Sequence, residues 1–396
     1  MPLSPGSVWL TVLLGLLVAL TPLGTDAYLP TLPAIAQAFG AQVSAVQFTI
    51  TTFFLGIAAG QLAWGPLSDR IGRKPVLLCG LGLYLASALA CLGAESVAAI
   101  ALWRFVQGLG MSSGPVIART IVRDLHSHEQ AARMLARMMV VFGIVPIAAP
   151  LIGAELLSWW GWQGTFGLLA AIALALIAAV VLGLEETAPE VRAIVSPAGI
   201  ARNFAAILGD SRFIAPFCVL LGAQIGIFAF VTNSAFVLVN ALGLSAREYS
   251  VLFAVVMIGQ IAGAWFTSRM VMRLGIAGML RFGTRLALSA GIVATALAWS
   301  GVVHWLAIVA PFMAFMFAAS CVVPNAIAAA LSPFPRSAGT ASSLLGACAF
   351  LVGAAVSIVL GGVYDGSARP MTAALALAGL GSWLAERFLM RRPGVA

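Results

Sequence analysis

The sequence predicts an all-α membrane protein, with twelve transmembrane helices in two pseudo-symmetric six-helix bundles. Three observations lead there. Of 396 residues, 62% are hydrophobic and only 9% charged, against about 25% charged in a soluble domain, and the mean hydropathy is +1.06. Apolar runs recur about twelve times: 8–38, 43–67, 75–94, 97–120, 134–157, 164–184, 213–235, 249–268, 277–299, 304–331, 338–361 and 370–390. Each is near the length that crosses a bilayer, about 20 residues at about 1.5 Å each. Finally, the longest polar interruption, from Glu185 to Arg212, separates six runs from six. The expected organisation is therefore a first bundle over 1–184, a cytoplasmic linker over 185–212 and a second bundle over 213–396.

The net charge of +8 would suit a nucleic-acid binder, but its distribution argues against one. Most arginines, and Lys74 (the only lysine), fall in or beside alternate loops, whereas the opposite loops hold only Arg247 and Arg369. That is the positive-inside pattern. It predicts that odd-numbered helices run outward and both termini are cytoplasmic. No Lys or Arg precedes the first run and no clear cleavage site follows it, so it reads as a retained helix rather than a signal peptide. Cys79, Cys91, Cys218, Cys321 and Cys348 show no pairing or metal spacing and read as small buried hydrophobes. His126 and His128 have no further ligand cluster, so no metal site is expected.

Run 1 carries the most informative residue. Asp26, in Thr21-Pro22-Leu23-Gly24-Thr25-Asp26-Ala27-Tyr28, lies about 27 Å along the helix from Val8, in the outer half of the membrane. An intramembrane aspartate costs about 2.5–3.5 kcal/mol on insertion scales, so it is expected to have a role or a partner. Pro30 and Pro33 would kink the helix, and a carboxylate at the outer interface is the plainer alternative.

Between runs 2 and 3 lies Gly65-Pro66-Leu67-Ser68-Asp69-Arg70-Ile71-Gly72-Arg73-Lys74-Pro75, a tight cytoplasmic turn in which Asp69 and Arg73 can pair or cap neighbouring helix ends. Run 4 contains Arg104 at a depth similar to Asp26, with Gln107, Gly108 and Met111 following on the same face. A structural ion pair is the alternative to a functional cation there. Run 5 carries Gly143, Pro146, Pro150 and Gly153; its prolines free backbone carbonyls and predict a bend. Trp159, Trp160 and Trp162 fit an interfacial belt before run 6.

The linker includes a short amphipathic stretch, 198–210, suited either to the membrane surface or to a solvated connector. In the second half, Ser268-Arg269 with Arg273 and Gly275 sits where the turn between runs 2 and 3 would recur, without its aspartate, which suggests duplication. Gly56 and Gly60, Gly110 and Gly114, Gly222 and Gly226, and Gly259 and Gly263 have small-residue spacings for close helix packing.

Several of these motifs share one resemblance. Gly65-x-Leu67-x-Asp69-Arg70-x-Gly72-Arg73-Lys74 resembles the signature loop of the major facilitator superfamily. Asp26-x-Tyr28-Leu29-Pro30-x-x-Pro33, Arg104-x-x-Gln107-Gly108-x-Gly110 and Ala118-Arg119-x-x-Val122-Arg123-Asp124 look like its bicyclomycin and chloramphenicol resistance branch of drug:proton antiporters. The match covers the first half well and the second half more loosely, through Gly339-Thr340-Ala341-Ser342-Ser343.

The resemblance implies a conformational latch at Gly65, Asp69, Arg70, Gly72 and Arg73, with Asp69 facing the start of helix 11 at Ser337–Thr340. It implies proton handling at Arg104 with Asp26. It also implies an antiporter helix at Gly143, Pro146, Pro150 and Gly153, although Ala149 and Ala154 stand where glycines are usual. By facing and family position, Tyr28, Met111, Met138, Phe142, Pro146, Gln224, Phe228, Asn233, Met257 and Gln260 are expected to contact substrate, Met and Phe giving adaptable apolar contacts.

The expected activity is proton-coupled antiport, exporting small amphipathic, phenicol- or bicyclomycin-like drugs by alternating access. No cofactor beyond the proton motive force is implied, and no metal or nucleic acid. The partners would be substrate, protons and the lipid bilayer, and the protein a multi-pass monomer of the bacterial cytoplasmic (inner) membrane. A proton-coupled metabolite porter on the same fold is the alternative; a membrane enzyme or receptor would need a clustered acid pair or histidine set that the chain does not show.

Overall fold

The computed structural model describes residues 7–126, 128–188, 197–334 and 337–390, some of them, mainly between 128 and 142, by their backbone alone. Fourteen α-helices make up the described chain, which divides into two compact units, Met1–Val195 and Ser196–Ala396.

In unit 1, α1 (Val8–Asp26) starts on a Ser7 cap, whose Oγ accepts from the Leu10 amide at 3.0 Å. The helix stops at Asp26. Pro30 has no N–H for the Asp26 carbonyl, and its ring would collide with it. The chain therefore tightens into a 3₁₀ turn at Leu29–Thr31 and resumes as α2 (Leu32–Ala38). This is the bent first span that Pro30 and Pro33 predicted. After it come α3 (Val43–Ile71), α4 (Arg73–Leu92), α5 (Val97–Met111), α6 (Ser113–Leu125), α7 (His128–Trp160) and α8 (Gln163–Gly183).

Run 4, expected as one stretch, is two helices. Pro115 conflicts with the Met111 carbonyl, the axis breaks at Ser112, and the hydroxyls of Ser112 and Ser113 bond back to Leu109 and Gly110, each at 2.8 Å. α3 and α5 approach at backbone distance: a methyl group on Gly56 or Gly108 would strike the Phe105 or Phe53 carbonyl. Trp64 Nε1 donates to the Leu109 carbonyl at 2.7 Å across the same seam. The small-residue spacings are thus packing devices.

In unit 2, α9 (Pro197–Leu208) buries Ile207 with Phe213, Leu220 and Leu345, so this part of the expected linker packs on the second bundle. α10 (Ser211–Ala235) continues through a π-helical segment, Phe236–Ala241, beyond the end expected at 235. α11 (Ala246–Trp299) holds two spans about Gly275, whose φ of +68° and ψ of 170° belong to a region open only to glycine. Gly72 has φ +111° and ψ 161° at the equivalent turn of unit 1, so the repeat seen weakly in sequence recurs in the backbone. α12 (Leu306–Leu331), α13 (Ala338–Gly362) and α14 (Arg369–Phe388) complete the unit.

Among the described residues, nine helices are long and apolar enough to cross a membrane. α11 contributes two spans, and the broken α5–α6 pair and α14 supply the rest, which makes twelve.

Two minor expectations are corrected. Trp159 and Trp160 are exposed as an interfacial pair would be, but Trp162 is buried, its ring 6.1 Å from Phe166. Cys91 and Cys321 are buried and Cys79 is exposed, so the cysteines are not uniformly core residues.

Candidate functional site

The break after α1 leaves Asp26 at a helix end inside the bundle. Its side chain is 6% exposed, with no hydrogen bond or ion pair to another described residue. Two residues earlier, the Gly24 carbonyl accepts from Arg104 Nη1 at 3.0 Å. Arg104, on α5, is fully buried. The same Nη1 donates to Gln107 Oε1 at 2.6 Å, one turn along the helix. The guanidinium plane lies 3.7 Å from the Phe53 ring centroid and 4.3 Å from that of Tyr28. A desolvated cation–π contact is worth about 2 kcal/mol or more, which offsets part of the cost of burying this cation. Arg104 Nε and Nη2, Gln107 Nε2 and the Tyr84 hydroxyl have no partner.

The alternative of an Asp26–Arg104 ion pair is therefore not what the structure contains. Arg104 is held by a carbonyl, an amide and two aromatic faces, and Asp26, two residues past that carbonyl, makes no bond to the guanidinium. Tyr28 is fixed as part of this wall: its hydroxyl and Thr49 Oγ1 are 2.8 Å apart, and its ring lies 5.5 Å from Phe166.

Tyr28, in the turn after α1, and Arg104 on α5 thus come together, with Asp26 two residues from the carbonyl that Arg104 holds; Met111 is buried beside Gly24. On α7, Met138 is buried, Gly143 and Pro146 are half-buried, and Pro150 is buried. Gly153 is pressed against the Ala27 carbonyl, next to Asp26. The side chain of Phe142 lies outside the described residues. In unit 2, Phe228, Asn233 and Met257 are buried, Gln224 is half-buried and Gln260 is exposed. Phe228 packs on Phe350 at 5.8 Å, and Asn233 Nδ2 donates to Thr232 Oγ1 at 2.8 Å. Phe53, Tyr84 and Thr49 were not anticipated in the sequence, which offers no local signal for an aromatic partner 51 positions from Arg104.

The cytoplasmic turn is a second built feature. Arg73, 6% exposed, donates from Nη1 to Asp69 Oδ1 at 2.5 Å and Ser68 Oγ at 2.9 Å, and from Nε to Asp124 Oδ2 at 3.0 Å. The Asp69–Arg73 pairing read from their spacing is present; Asp124 joins it from α6. Gly72 at the N-cap of α4 supplies no side-chain acceptor, and Glu186 takes that place from beyond α8. Its carboxylate accepts from the amides of Arg73 at 2.8 Å, Lys74 at 3.2 Å, Thr187 at 3.0 Å and Ala188 at 2.9 Å. Partial desolvation pushes the Glu186 carboxyl up, but the amides of Ala188, Arg73, Lys74 and Thr187 outweigh it and hold the group below the usual carboxylate range. Lys74 Nζ donates to the Val181 carbonyl at 3.0 Å.

Twelve spans in two units, with a buried acid and a buried cation inside one of them, define a polytopic membrane transporter. The chain belongs to the Major Facilitator Superfamily, whose family model matches residues 14–357. It is 31% identical to the "Bicyclomycin resistance protein homolog" of Haemophilus influenzae, over 96% of this chain and 95% of that one. It is 30% identical to "Multidrug resistance protein D" of Escherichia coli (86% and 85% covered) and 30% identical to a "Chloramphenicol resistance protein" of Pseudomonas aeruginosa (88% and 80% covered). Among solved structures, a D-xylose-proton symporter superposes with a TM-score of 0.79 at 14% identity, covering 97% of each chain. A bacterial homologue of the lysosomal transporter Spinster gives 0.75 at 17% identity, with 99% and 100% covered. At such identities these two establish the fold alone.

Proposed function

We propose that this transporter is a proton-coupled exporter of small amphipathic drugs of the phenicol or bicyclomycin kind. It would act as a monomer in the bacterial inner membrane with both termini cytoplasmic, and work by alternating access. The observation that carries the reading is Asp26: a buried carboxyl at a helix break, unpaired, with a fully buried cation anchored two residues away. The resistance proteins it resembles over most of its length support the substrate class.

In this reading Asp26 takes a proton from the outside, carries it through the change of access and releases it to the cytoplasm. Arg104 positions the Gly24–Asp26 turn through the Gly24 carbonyl. One proton moving inward through 100 mV releases about 2.3 kcal/mol, enough to sustain about a 50-fold gradient of a neutral substrate. The turn around Asp69, Arg70 and Arg73 acts as the conformational latch, with Gly65 and Gly72 giving it its tight backbone. Met111, Met138, Phe142, Pro146 and Tyr28 in unit 1, with Gln224, Phe228, Asn233, Met257 and Gln260 in unit 2, supply the substrate contacts.

Inverted membrane vesicles test the direction of transport. With an acidified lumen, chloramphenicol should accumulate inside and dissipate the proton gradient. Accumulation driven by an alkaline lumen instead would make the protein an importer.

A further inference from the structure

We infer that unit 2 carries a specific binding site for an anionic glycerophospholipid of the outer leaflet, seated on the α11–α12 face with its phosphate at Arg369. The inference is independent of what the protein exports and uses only the orientation proposed above.

The site begins as an apolar cavity of about 590 Å³ between the second arm of α11 and the start of α12. At its outer end it shares Val302, His304 and Ala307 with a smaller cavity that reaches Arg369. At its inner end it shares Leu286 and Ala314 with a third cavity of about 380 Å³ that ends at Phe317. The three form one continuous groove. From Leu306 to Phe317 it follows α12 for eleven residues, about 16 Å. One leaflet contributes half of a hydrocarbon core about 30 Å thick, so the groove matches an acyl chain reaching from the interface to the bilayer midplane.

Its polar end fits a phosphate. Arg369 and Arg247 are the cations of the outer loops, and Arg369 stands at this mouth. Its guanidinium makes no hydrogen bond to any described residue and lies 5.9 Å from the Trp299 ring. The nearby acid, Asp365, turns its carboxylate to Ser367, accepting from the amide at 2.9 Å and the hydroxyl at 2.6 Å. His304 Nδ1 accepts from the Leu306 amide at 3.2 Å, which leaves its Nε2–H as a second donor. Trp299 and Trp305 are exposed beside them, as side chains at headgroup depth are. A guanidinium donates well to phosphate, and a cation at an anionic surface strengthens attachment about fivefold. Charge complementarity at one end and chain length at the other specify the same occupant.

The test is a titration of the purified full-length protein in detergent, read by melting temperature and by retained lipid in native mass spectrometry. The probes are dioleoyl phosphatidylglycerol, dioleoyl phosphatidylcholine, dihexanoyl phosphatidylglycerol and inorganic phosphate. Dioleoyl phosphatidylglycerol should stabilise the protein saturably and remain bound as one copy, and the other three should not. Arg369→Gln should raise the concentration needed about fivefold, and Ala310→Phe, which fills the exposed middle of the groove, should remove the saturable response. The inference is overturned if phosphatidylcholine matches phosphatidylglycerol, if inorganic phosphate or the short-chain lipid suffices, or if neither substitution changes the titration.

Discussion

The interiors of the two units solve the same packing problem with different chemistry. Unit 1 buries Asp26, Arg73 and Arg104, and its central cation is gripped by aromatic faces with several donors left unpartnered. Unit 2 is filled at its centre by Phe230, 5.3 Å from Phe253 and 4.9 Å from Phe312. Several of its buried polar groups bond within their own helices: Thr232 to the Phe228 carbonyl, Thr284 to Leu280 and Asn325 to Cys321, each at 2.8 Å. Its one buried acid among the described residues, Glu386, lies near the end of α14. Among the described residues, buried aspartate and arginine thus occur in unit 1 only. The proton coupling proposed above therefore falls in unit 1, while the centre of unit 2 is apolar.

The largest effect should come from removing the acid. Asp26→Asn preserves size and much of the hydrogen-bonding capacity and should abolish resistance in a pump-deficient host at unchanged protein level, whereas Asp26→Glu should retain part of it. Adding Asn233→Asp in unit 2 to the Asp26→Asn protein should not restore resistance; rescue would break the assignment of coupling to one unit.

Arg104→Lys comes next. A flexible ammonium cannot lie flat between Tyr28 and Phe53 while reaching Gly24 and Gln107. Loss of that stacking should cost about 2 kcal/mol, read in the melting temperature, together with transport. Full activity in this variant would reduce Arg104 to a charge.

The two equivalent turns sharpen the comparison further. Gly72→Ala and Gly275→Ala both force a side chain into glycine-only backbone, at about 1–3 kcal/mol each. Only at Gly72 would the new methyl group also displace a carboxylate, that of Glu186; nothing stands near Gly275. Gly72→Ala should therefore lower the melting temperature more.

Glu186→Gln should be the mildest, about 1 kcal/mol, as for loss of a helix cap. Because the folded-state pKa of Glu186 is depressed, its contribution is present above the unfolded-state value and is lost as pH falls through the folded-state one. Wild type and variant should converge in acid, and a gap that persists there would exclude a charge-dependent cap.

Hydropathy alone made the spans legible, because a bilayer leaves few options for a run of twenty apolar residues. The prolines announced the bend after Asp26, and the four-residue spacing announced the Asp69–Arg73 pair. The break at Ser112 was missed although Pro115 is visible, since an apolar run continues through it. Beyond reach were the contacts made by folding: Phe53 under Arg104, Asp124 on Arg73, and Glu186 capping a helix 113 positions earlier. Each partner is an ordinary residue in its own stretch and acquires meaning only from where the bundle places it.

The most direct measurement is substrate-induced proton release from detergent-solubilised protein, wild type against Asp26→Asn, with chloramphenicol as the substrate and a pH-sensitive dye as the readout. Wild type should release protons on binding, and the variant should bind without release. Release of the same size from the variant would place the proton on another residue and contradict the account.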